Sequence, residues 1–402
     1  MKDLQEVEVK NKIVLMRCDF NVPIEGGEVV DDYRITQVMP TIKDLVGRGA
    51  KVVLMSHMGR PKSQKRFRSS FSGKVKNLFF KKDENFSLKP VYKELKNHLT
   101  KVSFAGDCVS QKTEKKIQNL KSGEVLLLEN LRYYSDEEEG GSSFTSRLAS
   151  FGDIYINDAF SASHRDHASV SKIANELDCY PGYLFEREVK FLSRIKRNPQ
   201  KPMVVIVGGA KVKSKAKTIK EFMDKADHVL VGGKVANAIL AIRGITDKEL
   251  PTEDVIKKLK KVDLTSPKLH LPVDVKASSD FNEYVRTAGV GEVRKGEDIY
   301  DIGPETINIY GDILKEARTI VWAGPLGFFE NKRFEDGTKL TGQEVVKNGA
   351  ALKIIGGGDT GAALNSFNLR DGMDHVSLGG GAMLTFVSGE KMPGLEALKE
   401  GK

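Results

Sequence analysis

The sequence has few cysteines and no long apolar runs. Its three cysteines, Cys18, Cys108 and Cys179, are far apart and form no C-x-x-C pair, which argues against a disulfide framework and against a zinc site built on them. No apolar run approaches the roughly 20 residues needed to span a bilayer. Residues 1–12 contain no apolar core behind a basic start, so a secretory signal is not expected. We therefore expect a cytoplasmic protein.

Two common nucleotide-binding signatures are also absent. The sequence contains no G-x-x-x-x-G-K-[ST] motif and no strand-associated G-x-G-x-x-G, which argues against a P-loop enzyme and against a dinucleotide-dependent oxidoreductase. The triplet His164-Arg165-Asp166 matches the protein-kinase catalytic loop, but Ser171 stands where that loop has asparagine and no D-F-G occurs. We interpret the triplet as a coincidence.

The bulk properties indicate a globular protein with an anionic partner. Apolar residues make up 40% and charged residues 30% of the chain, unlike disordered or membrane proteins. A chain of 402 residues exceeds what one hydrophobic core usually serves, so two domains are expected. The net charge of +9 suits nucleic acid, acidic lipid or a small phosphorylated metabolite.

Short β-branched or leucine-rich runs predict buried parallel strands in both halves of the chain. They are residues 13–16, 51–55, 125–128, 154–156, 204–207, 228–231, 319–322, 352–355 and 375–378. Helical spacing over residues 35–48 completes one βαβ unit, and residues 184–197 read as a long connecting helix. The pattern predicts an α/β fold of two doubly wound, Rossmann-like domains with a substrate cleft between them. The predicted boundaries are 1–180, 181–198 for the connecting helix or hinge, and 199–384.

Residues 62–82 interrupt this pattern with a basic stretch. The stretch contains eight lysines and arginines, no acid and four interleaved phenylalanines. Proteins that bind single-stranded nucleic acid use aromatic side chains to stack on the nucleotide bases and basic side chains to pair with the phosphates. A solvated surface insertion is the other interpretation, and we favour it.

Glycine clusters follow three of the predicted strands and open helix-like segments. They are residues 208–210, 356–358 and 379–381. Such junctions present backbone N–H groups and the positive end of a helix dipole to phosphate. Asp359 lies beside one cluster, where a carboxylate next to phosphate is expected to share a Mg²⁺ ion with it. A helix N-cap is the alternative role for Asp359, and the two roles are compatible.

In the first half, arginines and histidines follow the predicted strand ends. They occur in residues 17–23, at Arg34, and in residues 56–61, 129–132 and 162–167. Because the ends of parallel strands share one edge of the sheet, these side chains are expected to converge. Convergent guanidinium groups bind a small, highly anionic ligand through charge-assisted and often bidentate hydrogen bonds.

Taken together and in order, these segments resemble the phosphoglycerate kinases along nearly the whole chain. The family signature R-x-D-x-N-x-P appears at residues 17–23, and further matches lie at 208–215, 322–330, 356–360 and 375–382. The resemblance implies reversible, Mg²⁺-dependent phosphoryl transfer between 1,3-bisphosphoglycerate and ADP, giving 3-phosphoglycerate and ATP. It also implies in-line transfer after domain closure.

The resemblance further implies a set of site residues. The phosphoglycerate ligands would be Asp19, Asn21, Arg34, His57, Arg60, Arg132 and Arg165. The nucleotide ligands would be Lys215, Glu330, Gly357, Gly358, Asp359 and Thr360, with Mg²⁺ at Asp359. The transferring group would be neutralised by Arg34, Lys211 and the helix starts at Gly358 and Gly381.

The resemblance also implies a monomer whose C-terminal tail, about 385–402, packs on the N-terminal domain. Four departures from the family pattern lie on the nucleotide side, namely Lys213, Ser214, Lys234 and Ala323. The alternative function is a catalytically weakened kinase fold that binds polyanions or nucleic acid through residues 62–82.

Overall fold

A computed structural model of the chain describes residues 3–62, 64–67, 82–281 and 284–401. These residues form two compact units. The first contains the described residues up to Lys190 together with those from Lys391 on, and the second contains Phe191–Glu390. Each unit is built on a parallel six-stranded sheet, so the predicted α/β class with two doubly wound sheets is confirmed.

The strands and helices of the described residues are numbered along the chain. The strands are β1 Ile13–Arg17, β2 Ile24–Glu25, β3 Glu28–Val29, β4 Lys51–Met55, β5 Val102–Phe104, β6 Val125–Leu127, β7 Ile154–Asn157, β8 Asp178–Pro181, β9 Met203–Val207, β10 His228–Val231, β11 Leu269–His270, β12 Asp274–Ser278, β13 Arg286–Gly289, β14 Asp298–Ile302, β15 Thr319–Ala323, β16 Leu352–Gly356 and β17 His375–Ser377. The helices are α1 Tyr33–Gly47, α2 Lys89–His98, α3 Gln111–Gln118, α4 Ser135–Glu139, α5 Ser142–Ala149, α6 Tyr183–Arg197, α7 Val212–Met223, α8 Gly233–Ile242, α9 Glu253–Leu259, α10 Pro304–Glu316, α11 Asp336–Lys347, α12 Gly358–Ser366, α13 Gly380–Ser388 and α14 Pro393–Glu400.

The first sheet has the strand order β5-β6-β4-β1-β7-β8, with β1 between β4 and β7. Strand β1 connects through α1 to β4 on one side, whereas β7 joins it on the other side, so the chain reverses its winding direction at β1. Val14, Leu15 and Met16 are buried there, as expected of a strand covered on both faces. The loops after β1 and β7 therefore flank the point where open α/β sheets usually bind ligands.

The second sheet repeats this design in the order β11-β10-β9-β15-β16-β17. Strand β9 lies between β10 and β15, and its five residues are all buried. The chain reverses its winding direction at β9, so the loops after β9 and β15 lie at the corresponding position of this unit.

A small antiparallel sheet in the second unit was not predicted. It has the order β13-β12-β14 and carries a register shift between Lys276 and Ala277. Its strands mix charged and apolar residues, so they contain no continuous apolar run of the kind that predicted the parallel strands.

Helix α14 belongs to the first unit although it is far from that unit in sequence. The Gly394 amide donates to the Ser163 carbonyl at 2.9 Å, and Leu395 and Leu398 are buried. The boundary between the units falls inside α6, after Lys190. Among the described residues, no helix combines the length and apolar character that a membrane crossing requires.

Candidate functional site

Asp19 lies just after β1 and accepts hydrogen bonds from side chains and a backbone amide in the polar cluster of the first unit. Its buried carboxylate pairs with Arg34 of α1 and accepts hydrogen bonds from the Ser161 hydroxyl and, at 3.2 Å, from the Asn21 amide. His57 Nδ1 lies 4.0 Å from Oδ1. Burial alone would raise the pKa of Asp19, but the charge of Arg34 and the hydrogen bond from Ser161 hold the pKa well below its usual value. The carboxylate is therefore ionised.

Arg17, the last residue of β1, forms a buried support beneath this cluster. Its side chain is almost fully buried, and its Nε donates to Ser169 Oγ at 2.8 Å. The Ser169 hydroxyl donates in turn to Glu137 Oε1 at 2.6 Å, and Arg17 Nη2 lies 3.2 Å from His57 Nδ1. Burial raises the pKa of Glu137, against the opposing charge of Arg17. Arg17 thus connects His57 to Glu137, a link that the sequence analysis did not identify.

The loop after β4 is held in place by asparagine side chains. Asn130 Nδ2 donates to the carbonyls of Met58 and Phe86 at 2.8 and 2.9 Å, and its Oδ1 accepts from the Met58 amide at 3.1 Å. Asn21 Oδ1 accepts from the Gly59 amide at 2.8 Å. Gly59 has a φ of 53°, which favours glycine. The loop that contains His57 and Gly59 is thereby hydrogen-bonded to Asn21, another predicted ligand.

Arginines accumulate positive charge next to Asp19. Arg132 is buried and donates to the Gly59 carbonyl at 2.6 Å. Burial, followed by the charge of Arg165, lowers the pKa of Arg132 to about 10. Burial also lowers the pKa of Arg165, and Arg60 acts in the same direction. A charge that lowers the pKa of a neighbour acts at short range, as Arg165 does on Arg132 and Arg60 does on Arg165.

The neighbouring histidines do not add to this charge at neutral pH. Burial, with a smaller effect of Arg165, lowers the pKa of His164 to about 4. Burial, with Arg17 next, lowers the pKa of His167 to about 3. Burial likewise lowers the pKa of His57, although Asp19 opposes it. The excess positive charge therefore resides on the arginines, and the histidines are neutral.

In the second unit, glycines allow the loops at the sheet edge to pack backbone against backbone. A Cβ at Gly208 would lie 2.1 Å from the Pro325 carbonyl oxygen, and one at Gly324 would lie 2.1 Å from the Gly208 carbonyl oxygen. The buried Thr360 hydroxyl accepts from the Gly324 amide at 2.7 Å. These contacts join the loop after β15 to the loop after β9 and to the first turn of α12.

The charges of Lys215 and Asp359 interact in this unit. Lys215 Nζ donates to the Ala323 carbonyl at 2.9 Å. Burial lowers the pKa of Lys215 to about 8, the charge of Asp359 opposes this shift, and that of Lys211 adds to it. Asp359 is exposed in the first turn of α12, and Gly357 occupies the N-cap. The N-cap role considered for Asp359 is therefore wrong.

The remaining predicted nucleotide residues occupy helix starts or an exposed turn. Gly358 is the first residue of α12 and Gly381 the second residue of α13, where backbone N–H groups lack intrahelical acceptors. Lys211 is the exposed N-cap residue of α7. Glu330 is exposed in a turn after β15, and no contact with the other predicted ligands is observed for it in the described part of the chain.

The basic stretch 62–82 is described only at its two ends, since residues 63 and 68–81 lie outside the described residues. Phe67 packs edge-on against Phe144, with 6.0 Å between the ring centroids. Three cations at these ends pair with carboxylates of the first unit, in the pairs Lys65–Asp107, Arg66–Glu139 and Lys82–Glu129. These three cations are thus already neutralised, which does not favour their use in binding nucleic acid.

Comparisons with known proteins agree with the resemblance seen in the sequence. Residues 4–390 match the family described as phosphoglycerate kinase. The phosphoglycerate kinase of Moorella thermoacetica is 40% identical over 405 residues, covering 99% of this chain and 98% of the relative. That of Clostridium botulinum strain Langeland is 38% identical over 410 residues, with the same coverage.

Solved structures agree as well. The phosphoglycerate kinase of Pyrococcus horikoshii is 30% identical with a TM-score of 0.85, and that of Coxiella burnetii is 34% identical with a TM-score of 0.79. Both alignments cover 99% of this chain and 98% of the other. The chain belongs to the phosphoglycerate kinase family.

Proposed function

We propose that this chain is an active phosphoglycerate kinase that transfers a phosphoryl group reversibly between 1,3-bisphosphoglycerate and ADP. The observation that carries the proposal is the charge imbalance at the edge of the first sheet. Arg132 and Arg165 share this edge with Arg17 and Arg60, while the neighbouring histidines are held neutral. A half-buried excess of guanidinium charge is stabilised by an anion, and bisphosphoglycerate is a small, highly charged one.

In this proposal the phosphoglycerate binds in the first unit. The arginines at positions 60, 132 and 165 hold the phosphate, because planar guanidinium groups can donate two hydrogen bonds at once. Asp19 and Asn21 accept hydrogen bonds from the hydroxyl side of the substrate. Asp19 suits this role because its pKa is held low and it remains an acceptor.

The nucleotide binds in the second unit. Lys215 extends towards the carbonyl at the end of β15, and the starts of α12 and α13 offer N–H groups and positive dipole ends to phosphate. Thr360 fixes the loop after β15 by accepting from the Gly324 amide. Glu330 is assigned to the nucleotide site on the family pattern alone.

The reaction requires that the two substrates be positioned and that the negative charge of the transferring phosphoryl group be neutralised, more than it requires proton transfer. The attacking oxygen of 3-phosphoglycerate belongs to a carboxylate, which is already ionised, so no general base is needed. We infer that domain closure excludes water and brings the two substrates in line. Arg34, Lys211 and the amides at Gly358 and Gly381 then neutralise the transferring group.

Asp359 suits a magnesium ligand. Its carboxylate is exposed in the first turn of α12, beside Gly357 and Gly358, and its charge acts on Lys215. Magnesium typically binds one or two carboxylates together with substrate phosphates, which this position allows. The ion would supply charge neutralisation for the nucleotide phosphates.

We also infer a cytosolic monomer, as the family pattern implies. The three cysteines are buried and none of them forms a disulfide bond, which supports a reducing compartment. The oligomeric state stays a prediction, and sedimentation velocity of the purified protein would measure it.

A coupled assay of phosphoryl transfer from a nucleoside triphosphate to 3-phosphoglycerate tests the proposed function. Purified protein is given 3-phosphoglycerate and Mg²⁺ with ATP or GTP, beside Asp359→Ala and a control, Asp312→Ala, whose side chain is 76% exposed on α10. We expect Mg²⁺-dependent turnover that falls by at least 10²-fold in Asp359→Ala and is unchanged in Asp312→Ala. No turnover with either nucleotide, from protein shown to be folded, would refute the assignment.

A further inference from the structure

A cluster of possible metal ligands lies in the first unit and takes no part in the proposed reaction. Asp32, Glu94 and His98 each offer one ligand atom, and the three atoms lie within 4.8 Å of one another. Glu94 and His98 are one turn apart on α2, so their side chains share a face of that helix. Asp32 is the residue immediately before α1.

The distances suit a small transition-metal ion. His98 Nε2 lies 3.3 Å from Glu94 Oε1 and 3.7 Å from Asp32 Oδ2. In a tetrahedral complex with bonds of about 2.0–2.2 Å, neighbouring ligand atoms are about 3.4 Å apart. Imidazole nitrogen with two carboxylates is a set that zinc accepts, whereas magnesium prefers oxygen ligands alone.

The ligand atom of His98 is also available, whereas Glu94 Oε1 already accepts a hydrogen bond from Asn97 Nδ2 at 3.2 Å. His98 Nε2 is buried and makes no hydrogen bond in the described part of the chain. Asp32 stands at the N-cap of α1, yet its side chain makes no capping hydrogen bond. A buried imidazole nitrogen without a hydrogen bond needs an explanation, because such groups are normally satisfied.

We propose that Asp32, Glu94 and His98 bind one zinc-like divalent cation, with water completing its coordination. The ion links the end of α2 to the start of α1. That start matters because Arg34, two residues after Asp32, pairs with Asp19 of the anion site. Metal binding therefore stabilises the segment that carries Arg34.

The test titrates protein lacking any histidine tag with zinc sulfate by calorimetry, without nucleotide. We expect one Zn²⁺ per chain in the wild type and at least tenfold weaker binding in His98→Ala and in the isosteric Glu94→Gln. The control is His228→Ala, which removes a contact between two histidines, His228 Nδ1 to His270 Nε2 at 3.0 Å, and should bind normally. Circular dichroism checks that each variant is folded.

Two further readouts separate a metal site from a simple ion pair. Co²⁺ in place of Zn²⁺ should give the visible absorption of a four-coordinate ion, lost in Glu94→Gln. Saturating Zn²⁺ should raise the wild-type Tm by a few degrees and leave that of His98→Ala unchanged. Equal affinity in wild type and His98→Ala, loss of binding in His228→Ala, or no binding by folded wild type would each overturn the proposal. None of these readouts depends on turnover, so they are separate from the test of the kinase.

Discussion

Replacing Gly380 by alanine should damage the proposed nucleotide site without unfolding the protein. Gly380 is the first residue of α13, and a Cβ there would lie 2.7 Å from the Gly357 Cα and 3.1 Å from the Gly357 nitrogen. Both contacts are with backbone, which cannot rotate away. Ordinary contact begins at 3.4 Å, so the starts of α12 and α13 must separate by about 0.7 Å.

This separation of the two helix starts determines the expected losses of stability and of kcat. Overpacking of this kind costs about 1–3 kcal/mol of folding free energy. A displacement approaching 1 Å in groups that position a reacting phosphate lowers kcat by about 10²-fold. Gly361→Ala is the matched control, since it lies in the opening turns of α12 but its Cβ would meet Val376 Cγ1 at 3.6 Å. Alanine there should stabilise the helix by about 0.5–1 kcal/mol.

Three measurements on wild type and the two variants check this prediction: urea unfolding, MgADP affinity by calorimetry, and kcat in the coupled assay. Affinity for 3-phosphoglycerate should stay unchanged in both variants, because the first unit is untouched. If Gly380→Ala binds MgADP and turns over like the wild type, or if Gly361→Ala is equally impaired, the backbone contact between the two helix starts does not position the nucleotide.

Three other perturbations have expected outcomes. The pKa of Lys215 is about 8, so Lys215 loses its positive charge as the pH rises above this value. Calorimetry should therefore show that MgATP affinity falls between pH 8 and 9.5 in the wild type but not in Lys215→Met. The same decline in both proteins would contradict the assignment of Lys215 to the nucleotide. Burial and then Glu390 raise the pKa of Glu221 from 4.5 to about 7. Because the pKa of Glu221 is higher in the folded protein than in the unfolded chain, protonated Glu221 favours folding. Its contribution to the free energy of unfolding is complete below pH 4.5 and is lost as the pH rises through 7. Glu221→Gln should therefore raise the free energy of unfolding in urea at pH 8 by about 1–2 kcal/mol, allowing for solvent screening, and not at pH 5. Arg132→Lys should raise the KM for 3-phosphoglycerate by about 10–100-fold with folding intact, since lysine cannot donate in a fork; an unchanged KM would remove Arg132 from the ligand set.

The parallel strands and their loops could be predicted because they have a strong sequence pattern. Continuous apolar runs such as residues 204–207 occur where a strand is covered on both faces, and glycine after such a run indicates a turn at the sheet edge. Strand β5, Val102–Phe104, has no fully buried residue and only three positions, so it lacks this pattern. The antiparallel sheet was missed for a similar reason, since its strands are partly charged.

The predicted ligands of the candidate site come from sequence motifs, but the residues that support them could not be predicted. Arg34 and Arg132 follow from the order of motifs along the chain. The contact between Arg17 and Glu137 through Ser169 depends on residues more than 100 positions apart and on the burial of two charges. Burial also decides which groups are charged, as for His167, and a single sequence gives no direct signal of it.

The location of α14 has a consequence for biosynthesis. The first unit is discontinuous in sequence, because its last helix is made after about 200 residues of the second unit. At about 5–20 residues per second, the ribosome adds that helix roughly 10–40 s after Lys190. During this interval the groove that receives Leu395 and Leu398, next to Ser163, has no helix to cover it. The second unit, by contrast, is one continuous segment, so the unit that begins first is completed last.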